Sequence, residues 1–197
     1  MSLGEKFEVI ADEVYAKGRE DERVHFWSDF PTGWCIQYCL AYSSWTDDIY
    51  KPIKDIVVPE RTYYSCLFYG SYITDTKVAL DLSACLYKYT GGCTQVFRES
   101  NIKTIRKIIV NETITYFNWF KDAKKLENIT FEGVIGNDID FSSCTLLTIE
   151  SILSVISCLK DLTATGETKT LTLGSTNLAK LTDAQKAIAT EKGWTLA

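Results

Sequence analysis

Few residues in this chain could carry chemistry, and their spacing does not favour catalysis. The single histidine, His25, lies in "RVHFW" beside aromatics on a helix-like stretch. A Cys–His nucleophile would have to use it, yet the setting reads as a surface or partly packed cap residue. The seven cysteines are odd in number and contain no C-x-x-C pair. Zinc is disfavoured because His25 lacks a partner at ligand spacing. Most of the cysteines read instead as small buried hydrophobes in a reducing environment. Asp138 and Asp140 in "GNDIDFSS" stand two apart. Calcium needs about six or more oxygen ligands and a glycine-spaced acidic loop, which does not follow. A turn in which Asp and Asn accept backbone N–H groups is the simpler reading. No G-x-S-x-G elbow, P-loop or G-x-G-x-x-G occurs, and "TATGETKT" lacks the Gly-Lys-Ser/Thr ending that cradles phosphate. The 26 acidic residues allow many carboxylate pairs for glycoside hydrolysis and select none. Asn111 and Asn128 head glycosylation sequons, the second at a strand start. The expectation is a protein that is not an enzyme, with no cofactor and no metal.

Composition narrows the partners. The 197 residues suit one domain or an elongated one with caps, and the fractions of apolar and charged residues (46% and 24%) are those of a soluble globular protein. Net charge is −5, with the charges interspersed. "KTIRK" and "KDAKK" are the densest basic stretches, each the size of one solvated face, so nucleic acid is not expected. The N-terminus has no basic region followed by an apolar run, and no stretch approaches the roughly 18 apolar residues of a membrane span. The expectation is a soluble protein with no membrane partner.

Three segments follow from the patterning. Residues 1–33 read as an N-terminal capping helix: Ser2 and Glu5 form an S-x-x-E capping box, and Leu3, Phe7, Ile10 and Val14 make one apolar stripe. Residues 34–75 are irregular and aromatic-rich, with short extended pieces at 35–40 and 55–58 and with Pro52 and Pro59 opposing long helices. Their tyrosines and tryptophans form either a contact surface or irregular packing. Residues 76–197 carry strand-like phrases: "VALDLS" (78–83), "IRKIIV" (105–110), "NITFEG" (128–133) and "KTLTLG" (169–174). Ile149, Ile152, Leu153, Ile156, Leu159 and Leu162 mark an amphipathic helix with Thr148 as N-cap. Thr182 and Gln185 form a second capping box, Gly193 ends that helix, and "WTL" forms a last strand.

The strand phrases recur. Phe97, Phe120 and Phe141 lie 23 and 21 residues apart, and Ile102, Leu126 and Leu147 lie 24 and 21 apart. The frame F-x-(4 or 5)-[L/I]-x-x-I falls within the window of leucine-rich repeats, in which stacked turns share one parallel sheet and one core. "WFKDAKKLENITFEGVIG" and "DFSSCTLLTIES" resemble the leucine-rich repeats of the BspA type, with their phrase F-x-x-C-x-x-L-x-x-I; Ala123 stands where the cysteine often lies, and Cys144 matches it. The opening "GEKFEVIADEVYAKG" and the tail from Ser151 to Ala197 resemble such proteins encoded in prophages of gut Firmicutes. The resemblance implies an α/β solenoid with a short parallel sheet on the concave side and C-terminal helices on the convex side. It further implies adhesion or partner binding, or a virion role.

The expected function is therefore non-enzymatic binding of a protein or glycan partner through outward positions of the sheet. Asp81, Ser83, Thr130, Glu132, Thr170 and Thr172 are the candidate contact residues, being small, polar or acidic. The alternatives are a phage structural component that self-associates through the aromatics at 34–72, and a carbohydrate-active enzyme.

Overall fold

The computed structural model describes residues 55–57, 66, 68–72, 74–76, 79–83 and 94–197. The expected N-terminal helix, the extended piece at 35–40 and most of the aromatic segment lie outside these residues. Four strands, β1 (Asp55–Val57), β2 (Ala79–Asp81), β3 (Thr104–Val110) and β4 (Asn128–Gly133), form a parallel sheet in sequence order. A second parallel sheet contains β5 (Ile139–Asp140), β6 (Lys169–Thr172) and β7 (Trp194–Leu196). Among the described residues the helices are α1 (Ile149–Ser157), α2 (Gly174–Leu178) and α3 (Asp183–Glu191).

Alternation decides which side of each strand is buried. In β4, Ile129 and Phe131 point into the core while Thr130 and Glu132 are exposed. In β2 Leu80 is buried, as is Leu82 just beyond it. Strand β3 breaks the alternation. Ile105 pairs with Ile129 and Ile108 with Phe131, so Arg106 and Lys107 together oppose Thr130. This bulge turns both basic side chains outward while keeping both isoleucines in the core.

Between strands the chain makes a recurring turn. The N–H of the third residue after an apolar anchor returns to the anchor's carbonyl: Ser71 to Phe68 (3.2 Å), Ser100 to Phe97 (3.2 Å), Ala123 to Phe120 (3.1 Å), Cys144 to Phe141 (2.8 Å) and Thr165 to Leu162 (3.0 Å). In the first three turns the residues two before and two after the phenylalanine have positive φ: Cys66 and Gly70, Gln95 and Glu99, Asn118 and Asp122. That backbone aims alternate N–H groups at the next turn, as in Phe68 N to Val96 O (2.7 Å) and Phe97 N to Trp119 O (2.9 Å). Polar backbone that would otherwise be buried unpaired is thus satisfied between turns. The phenylalanines stack in one line, with ring centroids 5.2 Å apart for Phe68–Phe97, 5.5 Å for Phe97–Phe120 and 4.5 Å for Phe120–Phe141.

One expected sheet is two because α1 takes the place beside β4 where another strand would pair. The Ile129 and Phe131 N–H groups donate to the hydroxyls of Ser151 (3.0 Å) and Ser154 (2.9 Å) on that helix. Serine oxygens thereby cover an edge that would otherwise offer free donors. Helix α1 begins where Thr148 accepts from the Ser151 N–H. At its other end the Lys192 ammonium donates to the carbonyls of Ile156 (3.2 Å), Ser157 (2.9 Å) and Leu159 (3.0 Å). The capping box of α3 forms in both directions, Gln185 N to Thr182 Oγ1 (3.3 Å) and Thr182 N to Gln185 Oε1 (2.9 Å). Gly193 follows with φ +84°.

Candidate functional surface

The outward positions of the first sheet make a polar face in register. One row runs Asp81, Ile109, Glu132, and Lys107 stands beside Ala79 in the next. The Lys107 ammonium donates to Glu132 Oε2 at 2.8 Å, with both side chains well exposed. Such a pair adds little stability, but it fixes where two charges sit on the face.

The six candidate contact residues do not share one sheet. Asp81 and Ser83 lie on and just after β2, and Thr130 and Glu132 on β4, so these four belong to the first sheet and its end. Thr170 and Thr172 lie on β6 in the second sheet, where Thr172 pairs with Asp140 and Thr170 with Thr195. Asp81 also has a local task. Its Oδ1 accepts from the Ser83 N–H (2.9 Å) and hydroxyl (2.6 Å). The same hook recurs at Asn111 with Thr113, Asp140 with Ser142 and Asp161 with Thr163. Each turns the chain away from a strand or bridge. Asp161 is held below the usual carboxylate range by the Thr163 hydroxyl and then by its N–H.

The residues that sequence reasoning missed are Arg106 and Glu150. Both line an open cleft of about 340 Å³ at the N-terminal ends of β3, β4 and α1, together with Thr104, Asn128 and Thr130. Ile105 and Ile129 also border it, with their side chains buried in the core. The signal for Arg106 was present in the sequence. Ile105 and Ile108 are three apart, a spacing that a regular strand cannot bury and a bulged one can.

Asp138 and Asp140 each accept a backbone N–H, from Thr170 and Ser142, both at 2.7 Å. Among the described residues no group of three or more His, Cys, Asp or Glu side chains could hold a metal ion. Burial, and secondarily the Asp140 carboxylate, push the Cys144 thiol up to about 12, so it stays protonated and inert near neutral pH. Cys158 is also raised, mainly by burial. His25 lies outside the described residues. Among the described residues no helix is long and apolar enough to cross a membrane.

Comparison with family models, with curated proteins and with solved structures gave no match.

Proposed function

We propose that this chain is a leucine-rich-repeat interaction module that binds a protein or glycan partner through the outward side of its first sheet. The observation that carries the reading is the pairing of a fully packed inner side with a charged outer one on the same strands. Ile105, Ile108, Ile129 and Phe131 are buried, while Arg106, Lys107, Thr130 and Glu132 stand outward in fixed register. The recurring turns support a solenoid of stacked repeats with this sheet as its concave side. Contact residues on a packed, hydrogen-bonded sheet lose little conformational freedom on binding, which keeps the cost of association low. The two threonines of β6 would belong to a separate contact area.

The test is a screen of arrayed proteins and glycans, followed by titration of any binder against Thr130→Arg and Glu132→Lys. Both side chains are exposed, so both variants should fold. At least about a tenfold loss of affinity is expected for a contact at the centre of an interface. A binder that holds equally well to both variants would remove the first sheet from the reading.

A second reading, self-association as an assembly component, is favoured by the exposure of two large aromatics, Tyr72 (61%) and Phe117 (64%). Sedimentation at several concentrations separates the two readings. A particle whose mass rises with concentration, and falls back in Phe117→Ser, supports the second.

A further inference from the structure

We propose that the cleft at the N-terminal ends of β3, β4 and α1 binds a small dipolar ligand carrying one carboxylate and one ammonium group, a free amino acid or a dipeptide. Arg106 and Glu150 both line this cleft. Neither is ion-paired with the other or with any other described residue, whereas Lys107 pairs with Glu132, Lys160 with Glu112 and Arg98 with Glu99. Two opposite, exposed charges without an ion-pair partner among the described residues therefore border one concavity. Thr104, Thr130 and Asn128 line it too.

A ligand's carboxylate would take the two-pronged donor of Arg106. Its ammonium would lie against Glu150, and an intervening peptide group has the amide and hydroxyls to meet it. At about 340 Å³ the cleft is at the small end of ligand pockets, which favours one or two residues over a long peptide. The opposite charges disfavour simple anions, since Glu150 would repel them. The cleft shares Arg106 and Thr130 with the outward side of the sheet, but a small ligand needs no larger partner there, because the cleft is already assembled in the lone chain.

The test is amide chemical-shift titration of the intact chain with alanine and with alanylalanine, each also offered as its N-acetyl and its C-amide derivative. The expected result is saturable shifts at Thr104, Asn128, Thr130 and Ser151, with each blocked derivative about tenfold weaker or more. In Arg106→Gln the C-amide should bind no worse than the free ligand, and in Glu150→Gln the same should hold for the N-acetyl form. Whichever of alanine and alanylalanine saturates at lower concentration identifies the source. The absence of saturable shifts with both, or equal binding of blocked and free ligands, overturns the proposal. Should either variant misfold, the comparison of blocked and free ligands on the unaltered chain decides alone.

Discussion

One structural position after each stacked phenylalanine takes a small residue, serine in two turns and alanine or cysteine in the others, and those differences have consequences. Ser71, Ser100, Ala123 and Cys144 all occupy it, and all are buried. The Ser100 hydroxyl has no hydrogen-bond partner there. A buried unpaired hydroxyl costs free energy that an alanine does not. Ser100→Ala should therefore raise stability by about 1 kcal/mol, read as a higher midpoint in urea with unchanged slope; an unchanged or lower midpoint would mean the hydroxyl is satisfied. Cys144, two turns on, provides a pH signature. Its folded value of about 12 lies above the ordinary 9.0 of the unfolded chain. The folded state thus binds the proton more tightly, and its contribution is fully present below pH 9 and is lost as pH rises toward 12. Between pH 8 and 10 the unaltered chain should lose about 1.4 kcal/mol more stability than Cys144→Ala. Equal losses in the two proteins would sink this account. The residue scale was only partly legible in the sequence. Cys144 reads correctly as a buried hydrophobe, but whether Ser100 finds a partner depends on neighbours from other turns.

Helices and strands were more legible than the contacts that terminate them. Thr148, the Thr182–Gln185 box and Gly193 act within a few residues of their own helix, so their spacing alone predicts them. The hydroxyls that close the β4 edge come from Ser151 and Ser154, 22 and 23 residues away, and no local pattern announces that. Lys192 is a stronger example, because its ammonium reaches the carbonyls of Ile156, Ser157 and Leu159 from 36, 35 and 33 residues downstream. A cation at a helix C-terminus opposes the dipole and occupies orphan carbonyls at once. Lys192→Met keeps most of the aliphatic stem and removes the donors. It should lower stability by about 1–2 kcal/mol, with faster hydrogen exchange concentrated in the last turn of α1. Uniformly faster exchange throughout α1 and α3 would mean that packing, rather than capping, was lost. The stripe read as one helix through Leu162 also ends sooner than expected. Helix α1 stops at Ser157, and Leu162 becomes the anchor of the next turn. A leucine at helical spacing and a leucine at turn spacing look alike until backbone bonds distinguish them.

At the scale of the whole molecule, the turns are joined by backbone hydrogen bonds and stacked rings. Phe97, Phe120 and Phe141 were legible as a period, whereas Phe68 was obscured by a longer intervening segment and Leu162 by its change of residue type. Phe120 is the best probe of how the turns are coupled. Its ring is buried, stacks on Phe97 at 5.5 Å and on Phe141 at 4.5 Å, and meets Trp119 edge-on at 6.2 Å. Truncating it to alanine leaves a cavity between two stacked neighbours, which should cost about 3–5 kcal/mol. Where that cost appears distinguishes two kinds of molecule. In a stack of repeats, stability is a sum of intrinsic and nearest-neighbour terms, so the damage is greatest in the turns that touch the missing ring. In a single all-or-none core, every strongly protected amide falls by the same amount. For Phe120→Ala the proposed repeat architecture requires hydrogen exchange to accelerate most from Gln95 to Leu147, while amides of β6, α3 and β7 lose much less protection. Equal loss at Leu171 and Phe97 would refute that architecture. The strands would then hold one another as a cooperative whole, and the recurring phenylalanines would be a packing motif within an ordinary mixed domain.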